Sequence, residues 1–290
     1  MESRKKIIPN DRHVHFKFSL NDHTYVTLKK VYIDFSYNKY TKLVNAFCLI
    51  FHTVVLLIQI HFMVNNFTVD LVAKYSCMMM LMLYALVTMV FAIILEPKIS
   101  ELTSKLENYY WSEDSAGVEA RQKIIAKSKT FLIINFVFLG ICLILSVAMC
   151  PIFGDHKEWI LISIIVENHF GTWGIIFDWI FYSTMPFVLF SSIRLSGALF
   201  YGTLGLQVQM FLINEHILQI SDNFENSSDQ TIFHTRISQK LRFCIDHHVC
   251  IKNIIKMLLE IVRLAMAVFV ILGALCTISM MFFFLNAKCF

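Results

Sequence analysis

LRFCIDHHVCIKNIIKMLLEIVRLAMAVFVILGALCTISMMFFFL, residues 241–285, changes character halfway along without meeting a helix breaker. Its first half is basic and amphipathic, with Leu241, Ile245, His248, Ile251, Ile255, Leu258 and Val262 at spacings of three and four. That period marks one face of a helix. The second half, 264–287, runs for 24 residues without an Asp, Glu, Lys or Arg. Roughly 20 residues at about 1.5 Å each cross the hydrocarbon core of a bilayer. One continuous helix is therefore expected to stand in water at its start and in lipid at its end.

Composition extends that reading to the whole chain. Of 290 residues, 57% are hydrophobic and 16% charged, whereas soluble domains carry about 25% charged residues. Nine Gly and four Pro leave little material for turns, while 27 Phe and 14 Met supply apolar bulk. Several uncharged runs exceed the length of ordinary core helices, against a soluble chain with a large core. The fold class expected is all-α, a polytopic helical membrane protein with five transmembrane helices. The N-terminus, MESRKKIIPNDRHVHFKF, is charged and lacks an apolar h-region. The first hydrophobic segment is thus expected to target the chain, in place of a cleaved signal peptide. Eight Cys do not read as a disulfide framework: Cys48, Cys77, Cys142 and Cys276 lie inside apolar runs, where Cys behaves as a small hydrophobe. Cys150 and Cys289 fall near the outer surface, and a bridge between them is geometrically open.

After a polar, basic N-terminal segment, 1–42, apolar runs place the spans at about 43–65, 71–95, 130–153, 175–195 and 264–287. Lys and Arg are retained on the cytoplasmic side. The N-terminal segment has nine of them, and the first loop only Lys74. The second loop has six (Lys98, Lys105, Arg121, Lys123, Lys127 and Lys129), and the third only Lys157. The fourth again has six (Arg236, Lys240, Arg242, Lys252, Lys256 and Arg263), and the tail only Lys288. This alternation puts the N-terminus in the cytoplasm and the end of the fifth span outside.

The same count decides how many spans lie between Trp179 and Asn214, where Arg194 is the sole formal charge. Two spans there would put the fourth loop, with its six basic residues, outside. One helix is expected instead, spanning 175–195 and continuing into the cytoplasm to about Ile220, with Arg194 snorkelling at the inner boundary to keep its charge wet. The cytoplasmic extension then covers 196–263, turned by the polar run SDNFENSSDQT, 221–231. KISELTSKLENYYW, 98–111, spaces Ile99, Leu102, Leu106 and Tyr109 helically, as a separate cytoplasmic helix or an extension of span two. WILISIIVENHF, 159–170, is too short to cross and is expected to fold as an outer lid or re-entrant piece.

Cys244, His247, His248 and Cys250 look like metal ligands, but Cys250 points away from the helix face the other three share. Structural zinc wants four convergent ligands, so a packed helix face is expected, with no metal and no cofactor. No retained polar cluster suggests catalysis, so the chain is not expected to be an enzyme. Asp178 sits one turn inside the outer end of span four, either in reach of water or at the mouth of a cavity. Pro186 removes the hydrogen bond to the Tyr182 carbonyl and is expected to kink that span. In the outer half, span two offers Tyr75, Met79 and Leu83, span three Ser146 and Met149, and span four Asp178, Phe181, Tyr182 and Met185. Apolar, aromatic and thioether groups with a few hydroxyls line small-molecule pockets; the same groups also serve packing and lipid contact. Asn66-Phe67-Thr68 is a glycosylation sequon in an outer loop, very close to the membrane.

The pattern Leu241, Cys244-Ile245, His248, Ile251, Leu258-Leu259-Glu260, then a span ending near Cys276, resembles the fifth helix of insect odorant receptors. The cytoplasmic N-terminus, the inner segment ending LENYYW and the long fourth helix agree with it in order and spacing. Insect gustatory receptors share this topology and are the alternative. The resemblance implies a seven-helix subunit of a ligand-gated cation channel, assembled with an obligate odorant co-receptor in the plasma membrane of sensory neurons. It implies small apolar odorants and membrane lipid as partners, with no nucleic acid. It places the odorant pocket in the outer half, and makes Leu241, Ile245, His248, Ile251 and Ile255 candidates for the anchor between subunits. Helices six and seven of that plan have no counterpart after the fifth span. The resemblance therefore implies a partial sequence or a truncated product, with a non-conducting membrane protein as the competing reading.

Overall fold

A computed structural model describes residues 24–111, 115, 117–148, 160–222 and 230–287. These are helical, with no strand among them: α1 (Thr24–Lys29), a π turn (Lys30–Asp34), α2 (Phe35–Tyr37), α3 (Lys39–Asn65), α4 (Val69–Asn108), α5 (Val118–Ala148), α6 (Leu161–Phe170), α7 (Gly174–Asp222) and α8 (Gln230–Ala287). Among the described residues, five helices are long and apolar enough to cross a membrane. The protein is an all-α polytopic membrane protein.

Sequence signals set the helix ends. Asn38 caps α3, its side chain accepting from the Tyr40 amide, and Thr68 caps α4 by accepting from that of Leu71. Such caps satisfy amides that have no partner inside the helix. Gly171, at φ +55°, ends α6 in the left-handed region where side chains with a Cβ are strained. Pro97 and Pro186 lie inside α4 and α7 without ending them. Segment 98–108 is therefore a continuation of span two.

The stretch around Arg194 runs through as one helix of 49 residues. The Ser-Ser pair there makes no turn: Ser192 donates back to the Leu189 carbonyl, and Ser191 donates across to Asn45 on α3 at 2.7 Å. The expectation of a wet, snorkelling Arg194 is corrected. Its side chain is buried and faces Glu96, with Nη2 3.5 Å from Oε2, while Lys42 Nζ lies 2.5 Å from the other carboxylate oxygen. Three helices thus pin their charges together at one level, because a charge leaving water is stabilised only by a partner.

α4 is the central helix, packed against α3, α7 and α8. Below the ionic node, Ile99, Leu102 and Leu106 of α4 meet Leu195, Tyr201 and Leu204 of α7 and Ile251, Ile254, Leu258 and Ile261 of α8. This stem lies where the charge pattern puts water, so burying each Leu or Ile contributes about 1.5–3 kcal/mol. Residues 24–37, read only as polar and basic, are built into it. Leu28, Tyr32 and Ile33 are buried in the same core, and Tyr32 donates to Asn135 of α5. The ring of Tyr32 lies directly against Gly197, where no side chain stands in its way. Within the spans the gain from leaving water is absent and close packing must hold the helices. There α4 and α8 differ: 44% of the apolar window of α4 is buried, against 6% for α8, whose dry half meets its surroundings on most sides.

Candidate functional site

The structure gathers most of the proposed pocket residues. Tyr75, Met79 and Leu83 of α4 and Phe181, Tyr182 and Met185 of α7 belong to one outer cluster, with Val55 and Leu56 of α3. Short α6 packs on it through Leu161, Ile162, Ile165 and Val166; it is formed from the segment 159–170 expected as a lid or re-entrant piece. Asp178 is neither wet nor at an open mouth; it is buried and accepts a hydrogen bond from Ser163 of α6 at 2.9 Å. A carboxylate inside a low-dielectric layer is costly without partners, so this contact holds the lid on α7. Ser146 is buried on α5, its hydroxyl donating to the Leu143 carbonyl. Met149, Cys150 and Cys289 lie outside the described residues. Beside the lid, a cavity of about 400 Å³ opens between α3 and α6, lined by Ile58, His61, Phe62, Asn65, Ile165 and His169 among others. Through Ile165 and Phe62 its walls are shared with the outer cluster.

Alongside the cluster, α3 carries two buried polar groups that pattern reading passed over. His52, on α3, is 0% exposed, and its Nε2 stands 2.8 Å from Thr184 Oγ1 on α7. The imidazole packs against Phe51 and Phe181, with ring centroids at 5.2 and 5.1 Å. Gln59, two turns further along α3, is also buried. An ionisable residue inside a span is a functional candidate by default; that rule applied to 43–65 yields His52 and His61, of which His52 is the buried one.

At the other end of the bundle the conspicuous pair His247-His248 is split. His248 is exposed, while His247 is buried and stacks on Trp111, with ring centroids 3.8 Å apart. Trp111 is the hub of this node. Its backbone N–H donates to Gln209 Oε1 at 2.9 Å, and its carbonyl accepts from Gln209 Nε2 at 3.3 Å. Phe243 stacks on the same indole and His216 meets it edge-on. The loop after α4 is so fastened to both α7 and α8. Burial, with the His216 ring nearby, pushes His247 down to about 4. Burial and the Lys240 ammonium hold His216 below its usual value. Among the described residues no group of three or more His, Cys, Asp and Glu is placed to hold a metal ion.

The anchor candidates divide. Leu241, Ile245 and His248 are exposed, Ile255 is half-buried, and Ile251 lies in the stem core. The face that α8 turns inward is Cys244, His247, Ile251, Ile254, Leu258 and Ile261, rotated by about one residue from the stripe 241–262. The outward face remains apolar. No protein-family model, no curated protein and no solved structure matches this chain.

Proposed function

We propose that the chain is an odorant receptor subunit of a ligand-gated cation channel, detecting small volatile organic molecules with an obligate co-receptor in the plasma membrane of sensory neurons. The observation that carries this reading is that α7 joins two unlike regions. Its outer half supplies Phe181, Tyr182 and Met185 to an apolar, aromatic cluster under a short lid, and its inner half packs in a stem with α4 and α8. The resemblance of 98–111 and 241–276 to the odorant receptors supports the same assignment. A small apolar molecule held among Tyr75, Met79, Leu83, Phe181, Tyr182 and Met185 is recognised by shape and dispersion, not by charge. Its binding would bear on a helix that continues unbroken to Gln209 and the Trp111 node. No bond is made or broken. The exposed apolar face at Leu241 and Ile245 is the surface offered to neighbouring subunits, and lipid covers the outer faces of α5 and α8.

The test is electrical. The chain is co-expressed with an insect odorant co-receptor and cation current is recorded against a panel of volatiles. Odorant-evoked current from this chain, or from a longer product of the same gene that adds two apolar helices, supports the proposal. Silence from both with protein at the cell surface refutes it, and current evoked by tastants alone assigns the gustatory branch instead.

A further inference from the structure

We infer that His52 is the polar anchor of the ligand site and that the ligands it selects are hydrogen-bond donors, small aliphatic alcohols. This rests on the odorant reading above and adds the chemical class. Thr184 Oγ1 lies 2.9 Å from the Ile180 carbonyl and 2.9 Å from that of Phe181. A helical threonine gives its proton to such a carbonyl, which leaves its oxygen to accept. The neighbouring His52 Nε2, at 2.8 Å, must then be the protonated nitrogen. A neutral imidazole has one N–H and one bare lone pair, so Nδ1 is the acceptor. Among the described residues Nδ1 has no hydrogen-bond partner, in a side chain that is 0% exposed.

An unmet buried acceptor costs stability, and the cost is recovered by whatever brings a donor to it. Its position narrows the choice. His52 is ten residues above Lys42 and Thr184 ten residues above Arg194, which at about 1.5 Å each is roughly half the hydrocarbon thickness. Acyl chains at that depth have no donor to offer. The surroundings are Phe51, Phe181 and, through the outer cluster, Met79 and Met185. Thioether side chains repack readily around an alkyl tail. An alcohol can place its O–H on Nδ1 and its tail among these groups. An aldehyde or alkane of the same length offers the same tail to these groups and leaves Nδ1 unmet.

The test uses the full purified chain in lipid nanodiscs, with 1-octanol and octanal as probes and affinities from saturation-transfer NMR. The wild type is expected to prefer 1-octanol by about tenfold, the worth of one such hydrogen bond. His52→Phe keeps a ring of similar shape among Phe51 and Phe181 and removes both nitrogens, so its ratio should fall to about one. Thr184→Val carries the test if that variant does not fold: the tautomer is no longer fixed, and the ratio drops towards one. Equal affinity in the wild type, or a ratio that survives both substitutions, overturns the role of His52 and leaves the odorant reading standing. Binding of neither probe, nor of n-octane, overturns both.

Discussion

Gly197→Ala adds one methyl group where Tyr32 leaves no room for it. A Cβ at this position would stand 2.3, 2.4 and 2.5 Å from Cδ1, Cγ and Cε1 of the Tyr32 ring. Ordinary contact between carbons is about 3.5–4 Å, so the ring must retreat by more than ~1 Å. It has nowhere to go: Tyr32 is 1% exposed and its hydroxyl is bonded to Asn135. If α1 and α7 part to keep the ring, overpacking of this kind costs about 1–3 kcal/mol. If the ring is expelled, the loss approaches the ~3–5 kcal/mol of removing a buried aromatic. A cost of about 2–4 kcal/mol should lower the thermal midpoint of the purified protein by ~5–10 °C. Tyr32→Ala opens the space the methyl needs, so Gly197→Ala should cost almost nothing on that background, and the coupling should equal the single-variant cost, about 2–4 kcal/mol. Melting is followed by fluorescence on all four proteins, with limited proteolysis of 24–37 as a second readout. A Gly197→Ala midpoint within ~1 °C of wild type, or simple additivity with Tyr32→Ala, would refute the packing of the N-terminal segment into the bundle.

Glu96→Gln leaves Arg194 buried with its charge uncompensated and should cost about 3 kcal/mol, most of it recovered in Glu96→Gln/Arg194→Met; thermal melts of both variants decide this. Trp111→Ala removes a ring on which three others rest and should cost about 3–5 kcal/mol, seen in hydrogen exchange as faster opening of 98–108 and 240–250. His247, ordinarily near 6.5, is pushed down to about 4 in the fold. The unfolded chain then binds a proton that the folded one refuses. The contribution of His247 to stability is full above about pH 6.5 and is lost as pH falls towards 4, below which it no longer changes. His247→Gln should flatten that part of a melting-versus-pH curve, and an unchanged slope would show that His247 is not the group responsible.

The spans were legible because they rest on composition alone: an uncharged run long enough to cross, bounded by Lys and Arg. The single helix through Arg194 was legible from charge parity, though not the partner of Arg194, since Glu96 lies 98 residues away on another helix. The stripe 241–262 gave the period of α8 but missed its inward face by about one residue. Apolar residues surround that helix on most sides, and periodicity cannot say which of two apolar sides meets α4. Tyr75, Met79, Phe181 and Tyr182 were legible as one region because they share a depth in the membrane. His52 and Trp111 were not: each matters through a tertiary partner, Thr184 and Gln209, that no local pattern announces. Residues 24–37 carry charges that read as solvated, and their role depends on Tyr32 finding the bare backbone at Gly197.

The proposed function requires the outer cluster and its lid to face the exterior, with the Trp111 node and the exposed face of α8 in the cytoplasm. His169→Cys on α6 and Val249→Cys on α8 each place a thiol at an exposed position, and the account predicts that the two lie on opposite sides of the membrane. Cells expressing each variant are treated with a membrane-impermeant maleimide before and after permeabilisation, with the wild type as background. Labelling of His169→Cys in intact cells, and of Val249→Cys only after permeabilisation, is the predicted result. The reverse pattern, with Val249→Cys labelled in intact cells, would place the ligand cluster inside the cell and contradict the receptor assignment.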